Sequence, residues 1–229
     1  MHGKREIEPI AVIRNDFREK FGIPRQSGRV ESISSKIIFE PRYRVAEALR
    51  EIEGFSHLWL IFDFSEVKER GFSPTVRPPR LGGNRRVGVF ASRSPNRPNR
   101  LGLSLVRLLR VEEAEGLGKT LIVGGADLLD GTPIYDIKPY LPFSDSRPDA
   151  AFGYAEAPLS HRLSLGLGAE RLSQLSKDQR EAVLACLSED PRPSYQDDPS
   201  RIYSMRYGEF DIRFRVDGDR FDIEEVVRV

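Results

Sequence analysis

Residues 103–128 read LSLVRLLRVEEAEGLGKTLIVGGADL and hold two short runs that are typical of β-strands, 103–111 and 120–128. Four further runs of this kind precede them, at 7–13, 36–40, 57–64 and 86–91. Segments dense in glycine and proline separate the runs, and no regular series of helices alternates with them. Short strands in this arrangement favour a barrel or a sandwich over a doubly wound parallel sheet. The sequence therefore predicts a mainly β fold.

One helix is predicted among these strands, at residues 44–53. Val45, Leu49 and Ile52 recur there at helical spacing, and Gly54 follows as a stop signal.

The second part of the chain is predicted to be a small α+β unit. Composition shifts near residues 143–160 towards proline, glycine and scattered polar residues, as in a linker. Beyond it, Ser176 is placed to cap a helix that runs to about residue 189, and polarity alternates on both sides of a turn at Asp217-Gly218. We therefore divide the chain into domains 1–150 and 151–229.

Composition excludes several classes of protein. Of the 229 residues 39% are hydrophobic, enough for a real core, and the one cysteine, Cys186, excludes an internal disulfide or a zinc site built from several cysteines. The three histidines lie far apart without ligand spacing, so we expect no metal site. The longest mostly apolar stretch, 56–64, is far below the ~20 residues that span a bilayer. We expect a soluble cytoplasmic protein without a membrane segment.

Familiar nucleotide-binding motifs are incomplete in this chain. Gly118-Lys119-Thr120 resembles the end of a P-loop, but Glu113 stands where that motif requires glycine, and a strand is predicted to follow instead of a helix. The Gly-x-Gly pairs at 116–118 and 166–168 lack the third glycine of a dinucleotide fingerprint. These patterns argue against a nucleotide hydrolase and a dinucleotide-binding enzyme.

The formal net charge of +1 conceals an uneven distribution of charge. Residues 70–111 contain no acidic residue. The same segment contains ten arginines, at positions 70, 77, 80, 85, 86, 93, 97, 100, 107 and 110. Arginine in place of lysine suggests bidentate recognition of phosphate or carboxylate groups.

Four loop segments are candidates for the chemistry, namely 24–28 (PRQSG), 77–84 (RPPRLGGN), 90–99 (FASRSPNRPN) and 127–142. Prolines stiffen these segments, and glycines allow the backbone to approach a ligand closely. The last segment is expected to bring its polar side chains to one end of the sheet. They are Asp127, Asp130, Asp136, Lys138 and Tyr140. Each aspartate has an alternative role, in capping a turn or pairing with an arginine.

At these segments the chain resembles the TrmO (YaeB/TsaA-like) family, the S-adenosylmethionine-dependent tRNA methyltransferases that act on N6-threonylcarbamoyladenosine. The motifs that carry the resemblance are Pro24-Arg25-Gln26, Phe55-Ser56-His57-Leu58-Trp59, the arginine-proline segments, Asp130-Gly131-Thr132-Pro133, Asp136–Pro142 and Asp190-Pro191-Arg192-Pro193. The resemblance implies a β-barrel methyltransferase domain without a Rossmann fold, a small C-terminal domain and a homodimer. The chain departs from the family pattern at two places. The family usually has His-Gln or a similar pair at Ser65-Glu66, and it usually has proline at the position of Arg100.

The resemblance also implies specific site residues. Those expected to bind S-adenosylmethionine are Arg25, Gln26, Ser27, Gly28, Ser65, Glu66, Arg93, Leu103, Ala126 and Asp127. For such a substrate, the arginine-rich segment is expected to bind the phosphates and the threonyl carboxylate of the tRNA anticodon loop, through Arg77, Arg80, Arg85, Arg97 and Arg100. Asp127, Asp130, Asp136 or Tyr140 would accept the N6 proton or orient the acceptor, with Lys138 or an arginine stabilising negative charge on the carbonyl.

Two other functions fit the same residues. One is a non-catalytic RNA-binding module that uses the arginine-rich face, and the other is a methyltransferase of the same fold that acts on another substrate.

In the C-terminal unit, basic and aromatic residues interleave, a pattern suited to RNA contact. These residues are Arg192, Arg201 and Arg206 with Tyr195, Tyr203 and Tyr207. Packing of the tyrosines in the small core is the equally weighted alternative.

Overall fold

The computed structural model describes residues 3, 5–67, 73–78, 85–155, 162–193 and 195–229. The first part of the chain contributes eight strands. They are β1 (Ala11–Arg14), β2 (Ser34–Phe39), β3 (His57–Asp63), β4 (Thr75–Val76), β5 (Val87–Gly88), β6 (Leu101–Ala114), β7 (Gly118–Gly124) and β8 (Pro133–Pro139). Six of them form a ring-like sheet in the order β1-β2-β7-β6-β3-β8, with β8 paired to β1, while β4 and β5 form a separate pair.

The β6–β7 hairpin is the largest part of the ring. Ala114 lies opposite Gly118, and Gly116 has a φ of +71°, a conformation that glycine adopts without steric cost. Gly118-Lys119-Thr120 therefore begins a strand, as expected, and is not followed by a phosphate-binding helix. The predicted strand at 120–128 ends earlier, because Gly125 has a φ of +74° and turns the chain out of the sheet.

Alternating burial along the strands builds the interior of the ring. Leu58, Leu60 and Phe62 of β3 are buried and belong to one apolar cluster with Val106 and Leu121 of the hairpin. The residues between them on β3 are partly exposed on the outer face. The strands of the ring were predicted from short β-rich runs between segments dense in glycine and proline, and the mainly β prediction is confirmed.

The helix predicted at 44–53 is wrong. The chain forms two short 3₁₀ turns there, Ala46–Leu49 and Ile52–Gly54, separated by Glu51 with a φ of +67°. Leu49 and Ile52 still pack against the ring interior, but their three-residue spacing fits a 3₁₀ turn as well as an α-helix.

The strand predicted at 86–91 is also shorter than expected. Only Val87–Gly88 pairs with a neighbouring strand, and Val89–Ala91 forms a 3₁₀ turn.

The C-terminal unit contains a four-stranded sheet and one longer helix. After the single-turn α1 (Pro142–Asp145) come β9 (Ser164–Leu165), α2 (Lys177–Ser188), β10 (Tyr203–Tyr207), β11 (Phe210–Asp217) and β12 (Arg220–Arg228). The sheet has the order β10-β11-β12-β9, antiparallel except for β9. The predicted helix and hairpin are confirmed, with Ser176 capping α2 and Asp217 opposite Arg220 across the turn.

The second apolar cluster joins both parts of the chain. It contains Val183 and Leu187 of α2, Phe214 of β11, and Phe17 and Ile33 from the N-terminal part. The loops that leave the ring at 15–33 are therefore anchored on the C-terminal unit. Within the described residues, no helix combines the length and apolar character needed to cross a bilayer.

Candidate active site

A cavity of about 260 Å³ opens where segments from four parts of the chain meet beside the ring. It is lined by residues 62–67 at the end of β3, by Lys20, Ile23 and Pro24, by Pro95, and by Asp127, Leu128, Leu129 and Thr132. Ser65, Glu66 and Asp127, which the sequence assigned to one site, thus line the same space.

Asp127 is fixed from two sides. The Ser104 hydroxyl of β6 donates to its Oδ1 at 2.5 Å, and the backbone N–H of Ser27 also donates to the carboxylate. Burial raises the pKa of the Asp127 carboxyl above its usual range, while these hydrogen bonds and the charge of Arg93 act in the opposite direction. Asp127 therefore combines a desolvated environment with donors that favour the carboxylate.

The 24–28 loop is bonded to the ring next to Asp127. The Leu105 N–H donates to Ser27 Oγ at 3.1 Å, and the Gly28 N–H donates to the Gly125 carbonyl at 2.9 Å. A Cβ on Gly125 would lie 3.3 Å from the Gly28 backbone, so glycine allows this close approach. Gln26 accepts a hydrogen bond from Arg93, which brings those two predicted residues together.

Arg100 holds the 63–67 segment on the opposite wall. Its carbonyl accepts a hydrogen bond from the Phe64 N–H at 2.9 Å. Its guanidinium donates to the Val67 carbonyl at 3.3 Å and lies 4.0 Å from the Asp63 carboxylate. The Arg100 backbone has a φ of +53°, which the proline usual in the family cannot adopt. Through these hydrogen bonds and this ion pair, Arg100 contacts the 63–67 segment of the cavity wall.

A β-bulge lies beside this wall. Ile61 pairs with Asp136 but Phe62 pairs with Ile134, so Tyr135 is the extra residue. Burial and the charge of Asp63 raise the pKa of the Tyr135 hydroxyl, and the charge of Arg100 opposes them. Tyr135 and Asp63 are thus electrostatically coupled next to the cavity.

The 127–142 segment does not bring its five polar side chains to one end of the sheet. β8 runs away from the cavity, and at ~3.3 Å per residue the eight steps from Thr132 to Tyr140 span roughly 26 Å. Tyr140 contacts the rings of His57 and Trp59 at that far end. That part of the expectation is wrong, because the strand between the two motifs is fully extended.

The remaining candidate acids have other partners. Asp130 accepts hydrogen bonds from the Asn15 N–H at 3.0 Å and from Arg18 at 2.5 Å. Asp136 forms an ion pair with Lys138 at 3.2 Å on the outer face of β8. Of the predicted proton acceptors, Asp127 is the one that lines the cavity.

Other residues predicted to bind the donor lie outside the cavity lining. Arg25 donates to the carbonyls of Asp190 and Arg192. Leu103 is 56% exposed on the outer face of β6, and Ala126 is fully buried.

The predicted tRNA-binding arginines fall into two groups. Arg77 and Arg85 are exposed, and Arg80 lies outside the described residues. Arg97 donates to the carbonyls of Val89 and Ser92 at 3.2 and 2.7 Å, so it stabilises its own loop, as Arg100 stabilises the cavity wall.

Three of the six basic and aromatic residues of the C-terminal unit are buried, and Arg201, Arg206 and Tyr195 are exposed. Arg192 is 8% exposed and paired with Asp190, while Tyr203 and Tyr207 are buried in the second apolar cluster. Of the tyrosines in this set, Tyr195 is exposed, at 72%. The packing alternative therefore holds for the tyrosines of β10.

Sequence reasoning missed Ser104, Asp63, Tyr135 and Lys20. Lys20 donates to the Glu66 carbonyl at 3.1 Å and lines the cavity. Ser104 could have been recognised from the sequence pattern, because it is a polar residue at a core-facing position of a strand with alternating burial. Among the described residues, no group of three or more histidine, cysteine, aspartate or glutamate side chains is arranged to hold a metal ion.

Comparison with known proteins covers both parts of the chain. Residues 12–146 match the family model of the tRNA-methyltransferase O N-terminal domain, and residues 163–229 match that of the TrmO C-terminal domain.

Individual relatives are similar over most of their length. A tRNA (adenine(37)-N6)-methyltransferase of Escherichia coli (strain K12) is 42% identical over 226 residues, which cover 95% of this chain and 96% of the relative. A protein with the same name from Eikenella corrodens is 49% identical over 175 residues, covering 76% of this chain and 98% of the relative. A crystal structure of TrmO from Pseudomonas aeruginosa aligns with a TM-score of 0.81 at 32% identity, covering 100% of this chain and 99% of that one.

Proposed function

Because the chain belongs to the tRNA-methyltransferase O family, we propose that it methylates N6 of the threonylcarbamoyladenosine next to the anticodon of tRNA, with S-adenosylmethionine as methyl donor. The observation that carries the proposal is the cavity that joins Asp127 to Ser65 and Glu66, segments distant in sequence. A Pseudomonas aeruginosa relative, 40% identical over 220 residues, carries S-adenosylmethionine-dependent methyltransferase in its name.

The chemistry of the cavity fits this donor. Asp63, Glu66 and Asp127 are among the residues that line it, and negative charge at these positions complements the positive sulfonium and ammonium groups. Phe62 and Phe64 contribute apolar surface of the kind that holds an adenine ring. S-adenosylmethionine would supply a methyl group activated by its sulfonium, because breaking the S–CH3 bond releases the neutral thioether S-adenosylhomocysteine.

The N6 nitrogen that accepts the methyl group must lose its proton. We propose that the Asp127 carboxylate accepts this proton as the general base. Its desolvated carboxylate is a stronger proton acceptor than an exposed aspartate, because burial raises its pKa. Ser104 and the Ser27 N–H fix its orientation. Alignment of donor and acceptor supplies much of the remaining acceleration.

The arginine-rich segment is assigned to the tRNA. Arg77 and Arg85 are exposed and suited to phosphates or the threonyl carboxylate. The ring-like sheet would serve as the β-barrel scaffold of domain 1–150, and the C-terminal unit as domain 151–229. We place the protein in the cytoplasm, where tRNA is modified.

We also propose that the active form is a homodimer. Phe90 and Leu103, 74% and 56% exposed, supply apolar surface near the arginine-bearing turns. Light scattering would show a mass of about twice 26.0 kDa. A mass near 26.0 kDa at assay concentration would contradict the dimer.

The proposed activity is tested by mass spectrometry of nucleosides from tRNA lacking the methyl group, after incubation with the protein and S-adenosylmethionine. We expect threonylcarbamoyladenosine to gain one methyl group. Asp127→Asn should lower the rate by about 10²–10⁴, whereas Asp217→Asn, the same change in an exposed hairpin turn, should leave it unchanged.

Two outcomes would support the rival functions. Failure to bind S-adenosylmethionine in calorimetry would favour a non-catalytic RNA-binding module. Methylation of another nucleoside, with threonylcarbamoyladenosine unchanged, would favour the same-fold enzyme with a different substrate.

A further inference from the structure

The 24–29 loop, which borders the cavity, is bound to the C-terminal unit by two arginines. Arg25 donates to the backbone carbonyls of Asp190 and Arg192 at 3.3 and 2.9 Å. Arg29 donates to the Glu189 carboxylate at 2.7 Å. Hydrogen bonds from charged donors are stronger and more directional than those between neutral groups.

The turn that receives these contacts, residues 189–192, is itself rigid. The Asp190 carboxylate accepts two hydrogen bonds from the Arg192 guanidinium, at 2.8 and 3.0 Å. Asp190 has a φ of +48°, a conformation that aspartate and asparagine tolerate better than most residues. Glu189 also pairs with Arg162 at 3.1 Å. The turn is thus a fixed platform for the Arg25 guanidinium.

The other side of the same loop faces the cavity. Pro24 lines it, and Ser27 donates its backbone N–H to Asp127 and accepts from the Leu105 N–H. The loop is therefore bonded to the C-terminal turn through Arg25 and to the ring through Ser27.

We propose that the 189–192 turn is a positioning element for the methyl-donor site, and that Arg25 acts through this turn instead of contacting the donor. The C-terminal unit would hold the 24–28 loop in the conformation that presents Ser27 to Asp127. This inference rests on the proposed function, since it takes the cavity to be the donor site.

A coupling of this kind is reciprocal. If the turn stabilises the donor-binding conformation of the loop, a bound donor must stabilise the turn by the same free energy. Hydrogen exchange of the wild-type protein should therefore slow at the amides of Glu189, Asp190 and Arg192 in the turn, as well as at 26–28, when S-adenosylmethionine is added.

The variants test the same coupling by a second route. Asp190→Asn keeps a residue that tolerates the positive φ but removes the charge that holds Arg192. It should weaken S-adenosylmethionine binding in calorimetry by about threefold to tenfold, with tRNA affinity unchanged. Arg25→Gln should have a similar effect. Asp217→Asn, at an exposed position of the same unit, is the matched control and should bind like wild type.

The outcomes separate the two proposals. Failure of the wild-type protein to bind S-adenosylmethionine would overturn the proposed function and this inference together. A different combination of results would overturn this inference alone and make Arg25 a donor contact. In it, Asp190→Asn binds S-adenosylmethionine normally, Arg25→Gln binds it more weakly, and the donor does not slow hydrogen exchange in the 189–192 turn. If Asp190→Asn fails to fold, hydrogen exchange of the wild-type protein decides the question. If S-adenosylmethionine does not slow exchange in the 189–192 turn, the inference is overturned.

Discussion

Asp127 and Asp130 are the same residue type three positions apart, yet their surroundings give them different roles. Asp130 is held by Arg18 at 2.5 Å and by the Asn15 N–H at 3.0 Å, and so ties the loop after β1 to the ring. Asp127 lines the cavity, and burial raises its pKa. Because Asp127 and Asp130 have the same side chain, the residues around each of them determine which carboxylate is available to a substrate.

Removal of the Ser104 hydroxyl should shift the pH dependence of catalysis. The hydroxyl stabilises the Asp127 carboxylate and lowers its pKa, so Ser104→Ala should raise that pKa further. The acidic limb of the kcat/KM profile should then move to higher pH, because the base must lose its proton before it can accept one. Ser200→Ala removes a similar serine–aspartate bond at the exposed Asp198 and serves as control. An unmoved limb would show that Asp127 is not the titrating base.

Arg100 should affect the donor more than the tRNA, since its contacts are with the 63–67 wall. Arg100→Gly keeps the positive φ but removes the guanidinium. We expect the KM for S-adenosylmethionine to rise about tenfold, with little change in tRNA affinity measured by filter binding. The reverse pattern would make Arg100 a tRNA contact, as its sequence context suggested.

The sequence identified Asp127, Ser65 and Glu66 as members of one site through resemblance, but it did not rank Asp127 above the other acids. That ranking depends on contacts over long sequence distances, such as Arg18 with Asp130 and Ser104 with Asp127. No local pattern encodes those contacts. Tyr135 was missed because its position follows from the pairing register of β3 and β8.

At the level of elements, the strands were predictable from short β-rich runs and from the polarity of the C-terminal hairpin, whereas the irregular connections were not. The β11–β12 hairpin followed from its turn residues, and α2 from Ser176. The prediction of a helix at 44–53 was wrong, because apolar residues spaced four and three positions apart do not distinguish two 3₁₀ turns from one α-helix.

The cap of α2 provides a stability prediction. Ser176 accepts a hydrogen bond from the Gln179 N–H, and the Gln179 side chain accepts one from the Ser176 N–H. Ser176→Ala should lower the free energy of unfolding by about 1 kcal/mol, measured by urea denaturation. An unchanged midpoint would show that the helix does not depend on its capping box.

At the scale of the whole molecule, the two parts of the chain carry their positive charge differently. On the C-terminal sheet, Arg213 pairs with Glu225 at 2.6 Å and Arg215 with Glu224 at 2.8 Å. These cross-strand pairs neutralise that face. The segment 70–111 contains no acidic residue, and its described ion pairs, formed by Arg100, Arg107 and Arg110, use acids from outside the segment, whereas Arg77 and Arg85 are exposed.

This difference predicts the salt dependence of tRNA binding. The double variant Arg77→Gln/Arg85→Gln should reduce the slope of log K against log salt by about 1 to 2, as expected if two phosphate contacts are lost. Arg213→Gln, which removes a paired arginine, should leave the slope unchanged. Equal effects of both variants would show that the tRNA does not select the N-terminal face.

The most direct test of the account is a crystal structure of the protein with S-adenosylhomocysteine, the demethylated form of the donor. We predict density in the cavity between Asp127 and the 63–67 wall, with the 24–28 loop against the ligand. Well-defined ligand density at another place on the chain, with this cavity empty, would contradict the assignment of the site.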